Sequence, residues 1–176
     1  MALKKAGCTT IHFGIESASD QTLQNMHKGI TVKDIKNAVE LCKKTGIMTR
    51  GYFILGYPGE TKEDMLNTIS FSKKLQLDFA SFTIAIPNPR TDLHNIAIKN
   101  NYMKYDYWKN FSLGIEKNKI PYFSDENITN ELLEKMLKKA YSSFYCRGSF
   151  IIKKLLFMRF YIIRNICTLL YYRILK

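Results

Sequence analysis

The sequence has four cysteines, and no two of Cys8, Cys42, Cys146 and Cys167 lie within four residues of each other. That excludes a zinc knuckle, a CxxC redox pair and a locally built iron–sulfur motif. It reads instead as buried or free thiols in a reducing cytoplasm. Gly-x-x-x-x-Gly-Lys-Ser/Thr and Gly-x-Gly-x-x-Gly are both missing, which removes phosphate-loop and dinucleotide chemistry. A Ser nucleophile elbow is missing too. The three histidines are far apart: His12 sits in a strand-like run and reads as a core residue, and His27 and His94 do not form a metal site. Acidic residues vanish after position 146, where the last 30 residues hold seven basic ones. No stretch approaches the ~20 uncharged residues a membrane-spanning helix needs.

What is present is apolar and basic. Of 176 residues, 46% are hydrophobic and 13% aromatic, enough for one domain core, and the formal net charge is +12. The basic tail 147–176 also carries Phe150, Ile151, Ile152, Leu155, Leu156 and Phe157. Its best reading is a helix on an anionic membrane surface, peripheral rather than spanning. The alternative is a helix packed on its own domain or a partner. Nucleic-acid binding is disfavoured, because the basic residues alternate with Ile and Leu rather than polar groups. At the other end Met1–Cys8 lacks a signal-peptide core. It reads as the last turn of a helix closed by Gly7, which predicts a segment upstream.

Between these ends the pattern is strand, helix, strand, helix, strand. Residues 9–15 form the first expected strand, Met48–Leu55 the second and Phe79–Ile86 the third. Ser19, Thr31 and Thr61 each start a helix with an N-cap, and Gly46 stops one. A short helix is expected near Asp92–Lys99 and an amphipathic one over Asn130–Tyr145, with an irregular aromatic stretch over Tyr102–Tyr122. This alternation predicts an α/β fold with a parallel sheet, each strand apolar on both faces and covered by helices. The expected organisation is a body over 1–100, a helical region over 101–146 and the tail over 147–176.

In such folds ligands gather at the carboxyl ends of the strands. Three candidate segments converge there: Gly14, Glu16 and Ser17; Gly56, Pro58, Gly59 and Glu60; and the backbone at Ile86. A carboxylate and a hydroxyl suit ribose hydroxyls or an ammonium group, and the Gly56–Gly59 turn allows close backbone approach. Helix capping is the competing role for Glu16, Ser17 and Glu60. No catalytic residue and no metal ligand is evident.

These segments resemble radical S-adenosylmethionine (SAM) enzymes. Leu3–Ser17, ending in Gly14-Ile15-Glu16-Ser17, is similar to their fourth-strand region, and Asp20, Leu23, Met26, Lys28 and Gly29 fit its continuation. Gly51–Thr61, with Gly56-Tyr57-Pro58-Gly59-Glu60-Thr61, is similar to the fifth strand. Ile86–Leu93 is similar to the sixth, with Arg90 where the family usually has Gly. The nearest subgroup is the cobalamin-domain radical SAM proteins. The resemblance implies the last three strand–helix units of a partial (β/α) barrel followed by a helical extension. It implies SAM as ligand, with Glu16 and Ser17 at its ribose or amino-acid portion. The Gly56–Glu60 turn and Ile86 would frame the adenine. The full family reaction also implies a [4Fe-4S] cluster, and cobalamin in that subgroup. The cluster's Cys-x-x-x-Cys-x-x-Cys motif does not occur in this sequence. The expected partner is therefore an N-terminal half carrying that motif, and the chain is expected to be inactive alone. The alternative reading is a non-enzymatic docking or membrane-surface module.

Overall fold

The computed structural model describes residues 2–103, 106–115, 122, 128–152 and 155–156. The elements run α1 (Ala2–Lys5), β1 (Thr10–Glu16), α2 (Asp20–Asn25), α3 (Val32–Thr45), β2 (Met48–Leu55), α4 (Lys62–Lys74), β3 (Phe79–Ile84), α5 (Asp92–Lys99), α6 (Tyr107–Ser112) and α7 (Asn130–Tyr145). Local chemistry sets the boundaries. Thr31 with Asp34, and Thr61 with Asp64, close reciprocal capping boxes at the starts of α3 and α4. Gly46 ends α3 in the left-handed conformation at φ 66°.

The three strands form one parallel sheet in the order β1-β2-β3. Its register runs from Thr10 beside Met48 to Leu55 beside Ile84, so all three strands end on one rim. This is a partial (β/α) barrel: three strand–helix units, then a helical extension. The main core packs one face of the sheet (Ile15, Phe53, Leu55, Phe82) against Leu23, Val39, Met65 and Ile69, and against Leu133, Met136 and Phe144 of α7. A second small core, Ala97, Met103 and Tyr107, lies beyond β3.

Three expectations are corrected. The strands are covered on one face only. In β2, Thr49, Gly51, Phe53 and Leu55 are buried while Met48 and Tyr52 are exposed. His12 lies on that open face and is exposed rather than in the core, its Nδ1 3.2 Å from the Tyr52 hydroxyl. The reason is curvature: the helices wrap the outer face, and the inner face of a partial barrel looks into a lumen. The aromatic stretch also contains α6, capped by Asp106.

The outer edge of β3 is closed by side chains. The Tyr145 hydroxyl accepts from the Ala80 N–H at 3.1 Å and donates to the Ala80 carbonyl at 2.6 Å. Tyr141 does the same for Phe82, at 3.2 and 3.1 Å. The spacings match, because four helical residues rise about 6 Å and two strand residues about 6.6 Å. Among the described residues, no helix is long and apolar enough to cross a membrane. Residues 148–152 are helical, whereas 153–154 and 157–176 lie outside the described residues, and with them most of the expected surface helix.

Candidate functional site

A cleft of about 440 Å³ opens at the carboxyl rim, between Glu16 and Lys28 on one side and Tyr57, Ile84, Ala85 and Ile86 on the other. That size lies within the range of small-molecule sites. Glu16 is the last residue of β1 and stands at φ 62°, a left-handed conformation that non-glycine residues rarely adopt. The β1–β2 register shifts between Gly14 and Glu16 at the same point. Strain of this kind persists where the surroundings enforce it, and it concentrates at binding sites. Here it turns the carboxylate back over Gly14, where Lys28 binds Glu16 Oε1 at 3.0 Å. A Cβ on Gly14 would stand 2.6 Å from Glu16 Oε1 and 3.1 Å from Lys28 Nζ. Glycine is what lets the ion pair lie there.

Behind the cleft is a second polar arrangement. Ser17 and Glu60 are 0% and 5% exposed, so neither side chain is open to the cleft. Ser17 Oγ donates to Glu60 Oε1 at 3.0 Å, while Glu60 Oε2 accepts from the N–H groups of Gly56 (3.0 Å) and Tyr57 (3.1 Å). Thr68 on α4 accepts from the Ala18 N–H at 3.0 Å, with its hydroxyl 3.4 Å from that of Ser17. The buried carboxylate thus fastens the end of β1, the turn after β2 and helix α4 together. Desolvation pushes the Glu60 carboxyl above the usual range, against the pull of its hydrogen bonds.

The turn itself needs Gly56, at φ 72° and against Leu133 of α7. Pro58 and Gly59 shape the turn but are not among the residues lining the cleft. On the third side, the Trp108 indole N–H donates to the Pro87 carbonyl at 2.6 Å and so holds the segment of Ile86 and Asn88. Arg90, at φ 64°, occupies a left-handed position that glycine fills without strain.

The structure therefore brings Glu16 and Ile86 to the cleft, sets Gly14 beneath the Glu16–Lys28 pair, and places Ser17, Gly56 and Glu60 behind it. Sequence reasoning did not assign Lys28 or Tyr57 to the site. Tyr57 borders the cleft and anchors its hydroxyl on the Asn25 carbonyl at 3.1 Å. Among the described residues, no group of three or more His, Cys, Asp and Glu side chains could hold a metal ion. Cys8, Cys42 and Cys146 are free thiols scattered over the molecule. The donors in hand do not fit a [4Fe-4S] cluster. They do fit a ligand bearing hydroxyls, a cationic group and a flat ring.

A parallel strand–helix sheet with a cleft at its carboxyl rim gives the class, and comparison with known proteins points to a family. Residues 1–72 match the sequence profile of the Radical SAM superfamily. Over 152 residues, 86% of its length, the chain is 43% identical to a Pyrococcus horikoshii protein described as an uncharacterized methyltransferase, and it covers 32% of that protein. It is 28% identical over 149 residues, 84% of the chain, to the anaerobic magnesium-protoporphyrin IX monomethyl ester cyclase of Rubrivivax gelatinosus, of which it covers 25%. Its fold is similar to archaeal Elp3 from Methanocaldococcus infernus, with TM-score 0.53 and 16% identity over 80% of this chain and 37% of that one. These similarities support membership of the Radical SAM superfamily. The chain spans a third or less of the length of these curated relatives.

Proposed function

We propose that this chain forms one wall of the SAM site of a radical SAM enzyme and works together with a cluster-bearing barrel half that carries Cys-x-x-x-Cys-x-x-Cys. One observation carries the reading: the strained, cleft-facing carboxylate of Glu16, paired with Lys28 over Gly14 at the mouth of a 440 Å³ cleft. Glu16 accepts from ribose hydroxyls or the ligand's ammonium group. Lys28 holds that carboxylate in place. The Tyr57 ring and the Ile86 backbone frame the adenine. Ser17 and Glu60 act one layer back as positioning residues that fix the two loops in register.

Reductive cleavage of SAM to methionine and a 5'-deoxyadenosyl radical requires an electron from a [4Fe-4S] cluster, so no electron-transfer step is assigned to these residues. The chain alone is accordingly inactive, and its contribution is binding and exclusion of water. Kinship with the cobalamin-domain subgroup rests on motif similarity, and any cobalamin site belongs outside this chain. The relatives are described as an uncharacterized methyltransferase and a cyclase, so the substrate is set by parts beyond this wall.

Trp108, the chain's one tryptophan, holds the cleft loop and provides the test. SAM titrated into the chain should change Trp108 fluorescence saturably, and Glu16→Ala should weaken the apparent affinity about tenfold, a loss of about 1.4 kcal/mol. Equal affinity in both proteins would overturn the assignment of Glu16.

A further inference from the structure

The pole opposite the SAM cleft holds a second cavity, of about 370 Å³, lined by Lys73, Gln76, Asp78, Arg147, Ser149 and Phe150, with Leu77 as an apolar wall. Its central group is unusually well held. The Arg147 guanidinium lies 4.3 Å from the centre of the Phe144 ring and 5.6 Å from that of Phe150. Its Nη1 donates to the Lys73 carbonyl at 2.9 Å. Among the described residues its Nε is buried without a hydrogen-bond partner. A planar donor fork fixed in orientation matches an oxyanion. The Lys73 ammonium, the Gln76 amide and the Ser149 hydroxyl add further donors on the same walls. Asp78, the acid among the described lining residues, accepts from the Thr49 N–H at 3.0 Å, with the Thr49 hydroxyl at 3.4 Å.

We propose that this cavity binds a phosphate group, held by Arg147 and Lys73. It is a site separate from the SAM cleft and independent of that reading. Arg147 supplies the fork and Lys73 the second charge. Gln76, standing at φ 53°, and Ser149 complete the donor set. The phosphate can belong to a soluble ester or to a lipid headgroup. The exposed Ile151, Ile152, Leu155 and Leu156 that follow make the lipid source a necessary arm of the test.

The test uses the whole chain at constant ionic strength, so that general screening is held fixed. Inorganic phosphate is titrated and its 31P line width followed. In parallel, the chain is sedimented with vesicles of phosphatidylcholine, with and without phosphatidic acid. The expected result is saturable broadening that Lys73→Gln weakens at least fivefold and Arg147→Gln abolishes. Lys73→Gln keeps the carbonyl that anchors Arg147, so it remains informative even if Arg147→Gln fails to fold. Binding only to vesicles that contain phosphatidic acid, again lost in Lys73→Gln, supports the site with a lipid as its source. If neither probe binds, or if Lys73→Gln binds both as the wild type does, the proposal is overturned.

Discussion

Ser17 and Glu60, 43 positions apart, meet in a buried hydrogen bond of 3.0 Å that joins the ends of two adjacent parallel strands. The carboxylate closes on Ser17 at one oxygen and on two backbone N–H groups at the other. The rim of the sheet is therefore a fixed frame, with the cleft-facing carboxylate of Glu16 one residue from its hinge.

Burial raises the Glu60 carboxyl above its ordinary value of 4.5. A raised folded-state value means that the stabilisation is complete below the unfolded value and is lost as pH rises through the folded one. Wild type should therefore lose stability relative to Glu60→Gln as pH rises from about 4.5 through the raised folded-state value. Urea unfolding of both proteins across that range measures it. A difference independent of pH would show that Glu60 does not titrate in the frame.

Gly56 combines a left-handed backbone with contact against Leu133. Gly56→Ala should cost about 2–4 kcal/mol in urea unfolding, the sum of left-handed strain and overpacking. Pairing it with Leu133→Ala should recover the overpacking part only. Full recovery would remove the backbone argument.

Gly14 behaves differently, because it is not left-handed and its nearest neighbours are the tips of Glu16 and Lys28. Gly14→Ala should change stability by less than about 0.5 kcal/mol and yet lower SAM affinity about tenfold. Fluorescence titration beside urea unfolding separates the two effects. Large destabilisation with unchanged affinity would contradict the cradle.

Tyr141 and Tyr145 stand where a further strand would pair with β3. Tyr145→Phe should cost about 1–2 kcal/mol, because the Ala80 peptide loses both partners. The double variant with Tyr141→Phe should also self-associate as protein concentration rises, since a free strand edge templates pairing. Light scattering checks this, and a monodisperse double variant would show that the edge is protected by other means.

Much of the fold is legible in the sequence because its signals are local. Gly46 and the apolar run after it mark β2 from Met48 to Leu55, and Thr31 and Thr61 announce α3 and α4. Helix α6 escapes notice because Tyr107–Ser112 is a short aromatic run of modest helix propensity, though Asp106 is a usable cap. The third strand ends at Ile84 rather than Ile86, because Ala85 makes a last bond to the Leu55 carbonyl before Pro87 intervenes. The site is legible only by type. Glu16 and Ser17 are neighbours in sequence, yet the left-handed turn at Glu16 sends one to the cleft and the other into the core. The clasp between α7 and β3 spans 59 and 65 positions, beyond any local pattern.

The central claim is that this chain completes a SAM site. The most direct measurement replaces the matching segment of the Pyrococcus horikoshii relative with this chain and quantifies 5'-deoxyadenosine released from SAM under strong reductant, beside the parent protein. The account predicts cleavage by the chimera within about tenfold of the parent, a barrier change of about 1.4 kcal/mol, and a marked fall on Glu16→Ala. A chimera that folds and takes up its cluster, yet leaves SAM intact where the parent cleaves it, would contradict the account.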